Sequence, residues 1–263
     1  MTADTLNFNK RPSVFWLVTE LGRAATELGV TYSYQKLQKS KPNGDGHPVL
    51  ILPGFMATEK STVLLRKHVQ DLGYTAYDWG MGRNRGNIEY LPFLSSTVRE
   101  LHKKHGQKVS IIGWSLGGVF ARQIAKDNAH IVRQVITLGS PFLDIGRPNN
   151  IAWLHTLITG GKTVKDVDRD LIDNLPLPAP VPTTAIYTKE DGIVPWEACM
   201  EMQEDDWHQN IQVRGSHCGL GVNTSVLGII ADRLQYHAHN WQHFKPKGKI
   251  EELLFYPSFT RPR

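Results

Sequence analysis

A chain of 263 residues is long enough to bury a substantial core within one domain. Forty per cent of it is hydrophobic and 21% charged, with no repeat or low-complexity tract, which excludes a disordered or fibrous protein. The formal charge of +5 comes from scattered lysines and arginines rather than a basic stripe, so no nucleic-acid partner is expected.

No signal peptide and no integral membrane segment is read. The apolar run at residues 14–18 is too short for either, and Glu20 follows at once. A soluble, cytoplasmic protein is the expectation, and nothing in the pattern fixes its oligomeric state. After a lead of twelve residues, Val14, Leu17, Val18, Leu21, Ala24, Ala25 and Leu28 recur at helical spacing. Ser13 is the expected N-cap and Gly29 the stop. This helix is expected to pack on a sheet, with a membrane surface as the alternative. A polar turn at 39–47 leads to a strand at 48–52, which ends in Pro53-Gly54-Phe55-Met56.

Residues 62–72 read as an amphipathic helix and 74–79 as a strand. The glycine-rich loop that follows, 80–86, is no phosphate or dinucleotide fingerprint, because no helix starts at the required spacing. Within it Asn84 is a candidate brace for the Pro53–Met56 turn and Arg83 a candidate contact for an anionic group; for each, a plain turn is the favoured reading. A helix over 91–105 leads to the central stretch, VSIIGWSLGGVFARQIA at 109–125. Val109, Ile111 and Ile112 predict a buried strand, while Val119, Phe120, Ile124 and Ala125 fall on one helix face. Between them lies Gly113-Trp114-Ser115-Leu116-Gly117, a G-x-S-x-G pattern in strand–turn–helix context. Such a turn strains the serine backbone, and its glycines remove side chains that would collide across it.

A strand at 132–138 precedes a break in the strand–helix alternation. Residues 142–180 hold an apolar helix candidate (151–158), an acidic one (163–174) and a proline-rich exit, and are read as a small helical cap or lid. Strands at 183–187 and 209–213 lead into the loops bearing Asp191 and His217. A helix over 224–235 closes the alternation, and the basic, aromatic segment 237–263 is expected along the surface.

The chemistry follows from those loops. Ser115 is the candidate nucleophile, His217 the base that takes its proton, and Asp191 the acid that orients the imidazole. Asp144 and Glu190 compete for the acid role, but Asp191 follows a strand and opens an Asp-Gly-Ile-Val-Pro loop. Of eleven histidines, His217 alone follows the last strand inside a glycine-rich turn. The backbone N–H of Phe55 (alternate, Met56) and that of Leu116 are the expected oxyanion donors, one such donor being worth roughly 3 kcal/mol. Met56 and Trp114 are expected at the substrate. His237, His239 and His243 lack neighbouring acids or cysteines at ligand spacing, so no metal site is read, and the mechanism requires no cofactor. Cys199 and Cys218 are expected near the triad, as free thiols rather than a disulfide.

With these residues assembled, the chain resembles the α/β-hydrolase superfamily, on its lipase and esterase side, over residues 48–236. Pro53-Gly54-Phe55 is similar to the His-Gly-hydrophobic oxyanion turn of small bacterial lipases, with proline in place of histidine. Residues 211–220, with Gly215, His217, Gly219 and Leu220, are similar to their histidine loop. The resemblance implies a single α/β-hydrolase domain: a mostly parallel sheet, helices on both faces and a cap. It also implies hydrolysis of an acyl ester, small or lipid-like, with Ser115, Asp191 and His217 as the triad. An acyltransferase, thioesterase or lactonase would use the same three residues.

Overall fold

Short runs rich in Val, Ile and Leu, apolar on both faces, are what a parallel sheet covered on each side demands. In the computed structural model, which describes residues 12–37, 43–143 and 173–259, such runs at 48–52, 109–114 and 132–138 form one six-stranded sheet together with three strands of more polar sequence. The six are β1 (Pro48–Leu52), β2 (Thr75–Asp78), β3 (Val109–Trp114), β4 (Val132–Leu138), β5 (Thr183–Thr188) and β6 (His208–Val213). The order is β2-β1-β3-β4-β5-β6, and every neighbouring pair is parallel. The direction of travel reverses between β1 and β3, where Leu52 pairs with Gly113. A crevice opens at such a switch point, beyond the carboxyl ends of the strands.

Leu50, Leu52 and Ile111 face one layer, formed by α3 (Tyr90–His105) and α4 (Leu116–Asp127). Val49, Ile51 and Ile112 face the other, formed by α2 (Val63–Asp71) and a helix labelled α5 (Thr224–Leu234). Each fully buried aliphatic side chain stabilises the fold by about 1.5–3 kcal/mol. The expected helices on both faces are therefore present. Of the expected cap, only its flanks lie within the described residues; both helix candidates, apart from residues 173–174, and Asp144 lie outside them.

Two segments depart from expectation. Helix α1 (Val14–Leu37) runs through Gly29, and it is turned inside out: Glu20 and Thr31 are buried, whereas Val14, Val18 and Leu21 are more than 70% exposed. Periodicity identifies a helix and its two faces, but the surface α1 meets is made of loop N–H groups that need acceptors. The C-terminal segment is not merely superficial. Phe244 and Tyr256 enter the core beside α5, and Gln209 brackets Phe244, its amide donating to the Phe244 carbonyl (3.0 Å) and accepting from its N–H (2.7 Å). A short helix, α6 (Lys249–Phe255), precedes Tyr256.

Candidate active site

Ser115 occupies the single residue between β3 and α4, with φ 52° and ψ −122°. Its N–H donates to the Leu138 carbonyl at 2.8 Å, which ties the turn to the end of β4. The glycines on either side are required by close approach. A Cβ on Gly113 would stand 2.3 Å from the Gly118 Cα, and one on Gly117 2.4 Å from the Leu52 carbonyl oxygen. Positive φ in a non-glycine residue costs about 1–3 kcal/mol and persists only where the surroundings impose it. Among the described residues two non-glycines have positive φ, Ser115 and Met56, and both belong to the candidate site.

Asp191 follows β5, and its Oδ1 accepts the N–H groups of Ile193 (2.8 Å) and Val194 (2.7 Å). Its Oδ2 lies 2.6 Å from His217 Nδ1, with the two residues 4% and 5% exposed. A carboxylate only accepts, so Nδ1 carries the proton and Nε2 is left as the proton acceptor. Burial alone would push the imidazole toward neutrality. The charge and hydrogen bond of Asp191, with the charge of Glu20, outweigh it and raise the His217 pKa above its ordinary 6.5.

The ring sits over the end of β4. A Cβ on Gly139, which follows Leu138, would be 3.1 Å from His217 Nδ1. The His217 carbonyl accepts the indole N–H of Trp114 at 3.1 Å, so the base lies beside the Ser115 turn on the same edge of the sheet. Trp114 also packs its ring against Gly221; the contacts of this expected substrate residue brace the histidine loop.

The turn after β1 lies against the serine. A Cβ on Gly54 would stand 3.3 Å from Ser115 Cβ and 3.9 Å from its Oγ. The Met56 N–H donates to the Asn84 carbonyl at 2.6 Å, whereas the Phe55 N–H has no acceptor among the described residues. Leu116 opens α4, where backbone N–H groups lack intrahelical partners and the helix dipole favours negative charge. Asn84 is a brace rather than a plain turn residue: fully buried, it donates to the Pro53 carbonyl (2.8 Å) and accepts from Gly86 N–H (3.0 Å). Arg83, Phe55 and Met56 are exposed.

Residues outside the motifs also build this site. Glu20 and Glu27, seven apart on the inner face of α1, accept N–H groups of the acid and histidine loops. Spacing gave no signal for them, because α1 carries other polar residues, Arg23 and Thr26 among them, and the loop partners of both carboxylates are distant in sequence. A second Ser–His–Asp arrangement is a useful contrast. His47 Nε2 lies 2.8 Å from Ser110 Oγ, and Nδ1 2.5 Å from Asp45 Oδ1. Ser110 and His47 are fully buried, in a relaxed strand and just before one, so that arrangement holds β1 to β3 and reaches no ligand.

Cys199 and Cys218 are not joined in a disulfide. Burial, with the charges of Glu20 and Asp191, pushes the Cys218 pKa up to about 11. Among the described residues no group of three His, Cys, Asp or Glu side chains is arranged to hold a metal ion. No described helix is long and apolar enough to cross a membrane.

Residues 67–158, which include the Ser115 turn, match the family model of lecithin:cholesterol acyltransferase. No curated protein matches the sequence. Among solved structures, Aspergillus fumigatus lipase B superposes with a TM-score of 0.55 at 16% identity, over 76% of this chain and 55% of its own. The chain thus spans about half the length of that enzyme. Bacillus licheniformis lipase BlEst2 in its mature form superposes with a TM-score of 0.53 at 15% identity, over 74% of this chain and 94% of its own. Paleococcus ferrophilus monoacylglycerol lipase does so at 0.52 and 14%, over 70% and 94%. Identities this low carry architecture alone, and at that level the chain has the α/β-hydrolase fold, shared here with lipases.

Proposed function

We propose that the protein is a serine hydrolase that cleaves carboxylic esters of apolar acyl groups through an acyl-enzyme on Ser115. The observation that carries this reading is the buried Asp191–His217 pair, 2.6 Å apart, beside a serine in a strained strand-to-helix turn. In the first half-reaction Nε2 of His217 takes the Ser115 proton as Oγ attacks the ester carbonyl. The tetrahedral oxyanion receives hydrogen bonds from the N–H groups of Phe55 and Leu116. Collapse expels the alcohol, which leaves with the proton from His217. Water then attacks the acyl-enzyme with His217 again as base, releasing the acid and restoring Ser115. The exposed Phe55 and Met56 flank the proposed oxyanion turn and motivate an apolar acyl group.

A second reading, transfer of the acyl group to an alcohol, is favoured by the match of residues 67–158 to an acyltransferase family model. It shares the acyl-enzyme and differs in what attacks it. A chain-length series of p-nitrophenyl esters, run with and without an added alcohol, separates the two. Free acid as the main product supports hydrolysis, and predominant new ester supports transfer. Ser115→Ala retaining most of the ester turnover would overturn both.

A further inference from the structure

Helix α1 touches α5 through Thr31 and Thr224, and its inner face touches both loops of the proposed triad. Glu20 is 3% exposed. Its Oε1 accepts the N–H of Gly192, the residue after Asp191, at 2.8 Å, and the N–H of His217 itself at 3.2 Å. Its Oε2 accepts the N–H of Cys218 at 3.1 Å, and Arg23 donates to Oε1 at 3.0 Å. Four donors converge on two oxygens, a demand that suits the ionised carboxylate. The approach is close: a Cβ on Gly192 would stand 2.4 Å from the backbone nitrogen of Leu17 in α1.

We propose that Glu20 is a positioning residue: its carboxylate locks the acid loop to the histidine loop and sets a second negative charge beside the imidazole. The inference rests on the triad proposed above. Asp191 and His217 come from separate strands, and a single acceptor shared by their loops fixes the separation of the two side chains. The charge adds to that of Asp191, favouring the imidazolium formed as Ser115 attacks. Among the described residues, other charged or titratable groups around the ring are few. Arg23 on α1 tempers Glu20, and the Cys218 thiol is held neutral. Glu27 on α1 holds the Ser216 N–H at 2.7 Å. Glu190, 3.7 Å from Arg214, holds the Gly215 N–H at 3.0 Å.

The test uses the full chain and two readouts. One is the NMR titration of the His217 imidazole, and the other is the pH dependence of acylation by p-nitrophenyl butyrate. Glu20→Gln keeps the size and removes the charge. It is expected to lower the His217 pKa, move the acid limb of kcat/KM to lower pH, and reduce kcat about tenfold or more with KM nearly unchanged. Arg23→Gln is expected to move the same titration upward, and Glu27→Gln to lower the melting temperature without moving it. Glu20→Asp should recover part of the pH profile. A purely structural clamp would lower the melting temperature of Glu20→Gln and leave the His217 titration in place, which would overturn the proposal. If Glu20→Gln fails to fold, Arg23→Gln decides, and an unmoved titration there overturns it as well. Loss of turnover in Ser115→Ala tests the triad separately, because the NMR titration does not depend on turnover.

Discussion

Ser115 holds a conformation that glycine would adopt without strain, and the cost is met by its surroundings. The Leu138 carbonyl fixes its N–H, and the bare Cα atoms of Gly113 and Gly117 let helix, strand and neighbouring turn close around it. The partner histidine has its pKa raised above 6.5, so it stays protonated, and inactive as a base, to higher pH than a free imidazole. The pH profile of kcat/KM should therefore climb through an apparent pKa above 6.5. Asp191→Asn should reduce kcat by about 10⁴-fold, because the amide no longer holds the reactive tautomer. A profile centred at or below 6.5, or an Asp191→Asn variant near wild-type rate, would count against the pairing. The placement of Ser115, Asp191 and His217 after the ends of strands was legible in the sequence, because each follows a strand-forming run directly. That of Glu20 was not, since its loop partners lie 172 and 197 residues further along the chain.

Helix α4 shows what periodicity hides. Its apolar residues predict one buried face, but Arg122 is fully buried too. The guanidinium pairs with Glu201, donates to the Leu177 carbonyl at 2.8 Å and lies 3.7 Å over the ring of Phe142. Arg122 thus joins the two flanks of the expected cap to the helix that follows Ser115. Arg122→Met should destabilise the protein by about 3–5 kcal/mol, because it leaves the Glu201 carboxylate buried without its cation. The double variant Arg122→Met, Glu201→Met should lose less than the sum of the single variants. Urea denaturation of the three measures this, and simple additivity would contradict it. Strands β1, β3 and β4 were legible as continuous apolar runs because both faces of each are covered, whereas β2 and β6, at the edges, are partly exposed. The orientation of α1 was not, because its spacing names two faces and not which one meets the protein, and here carboxylates find loop N–H groups.

At the scale of the molecule, the two ends of the sheet do different work. The carboxyl ends carry strained backbone, the Asp191–His217 pair and, at Phe55, an N–H with no acceptor among the described residues. The amino ends carry a fully paired network in which Asp45 bridges His47 and Arg133. Burial, with the charge of Arg133, pushes His47 from 6.5 down to about 4 despite Asp45. The folded ring therefore refuses a proton that the unfolded ring accepts, and stability falls as pH drops from 6.5 to about 4. The loss from this group is about 3 kcal/mol and is complete below its folded pKa. Denaturant midpoints at pH 7 and pH 4 should differ less in His47→Gln than in the parent. An equal difference would contradict the assignment. Strand alternation made a parallel sheet legible, but the order that opens a crevice between β1 and β3 is set by packing, and the sequence pointed to it only through resemblance to a known fold.

The proposed activity depends on a nucleophile at position 115 activated by His217. Reaction with a fluorophosphonate followed by peptide mass spectrometry tests it without assuming a substrate. A single adduct on the Ser115 peptide is predicted, with labelling slowed at least about 10³-fold in His217→Ala. No adduct, or an adduct on another residue that forms at the same rate in Ser115→Ala, would contradict it.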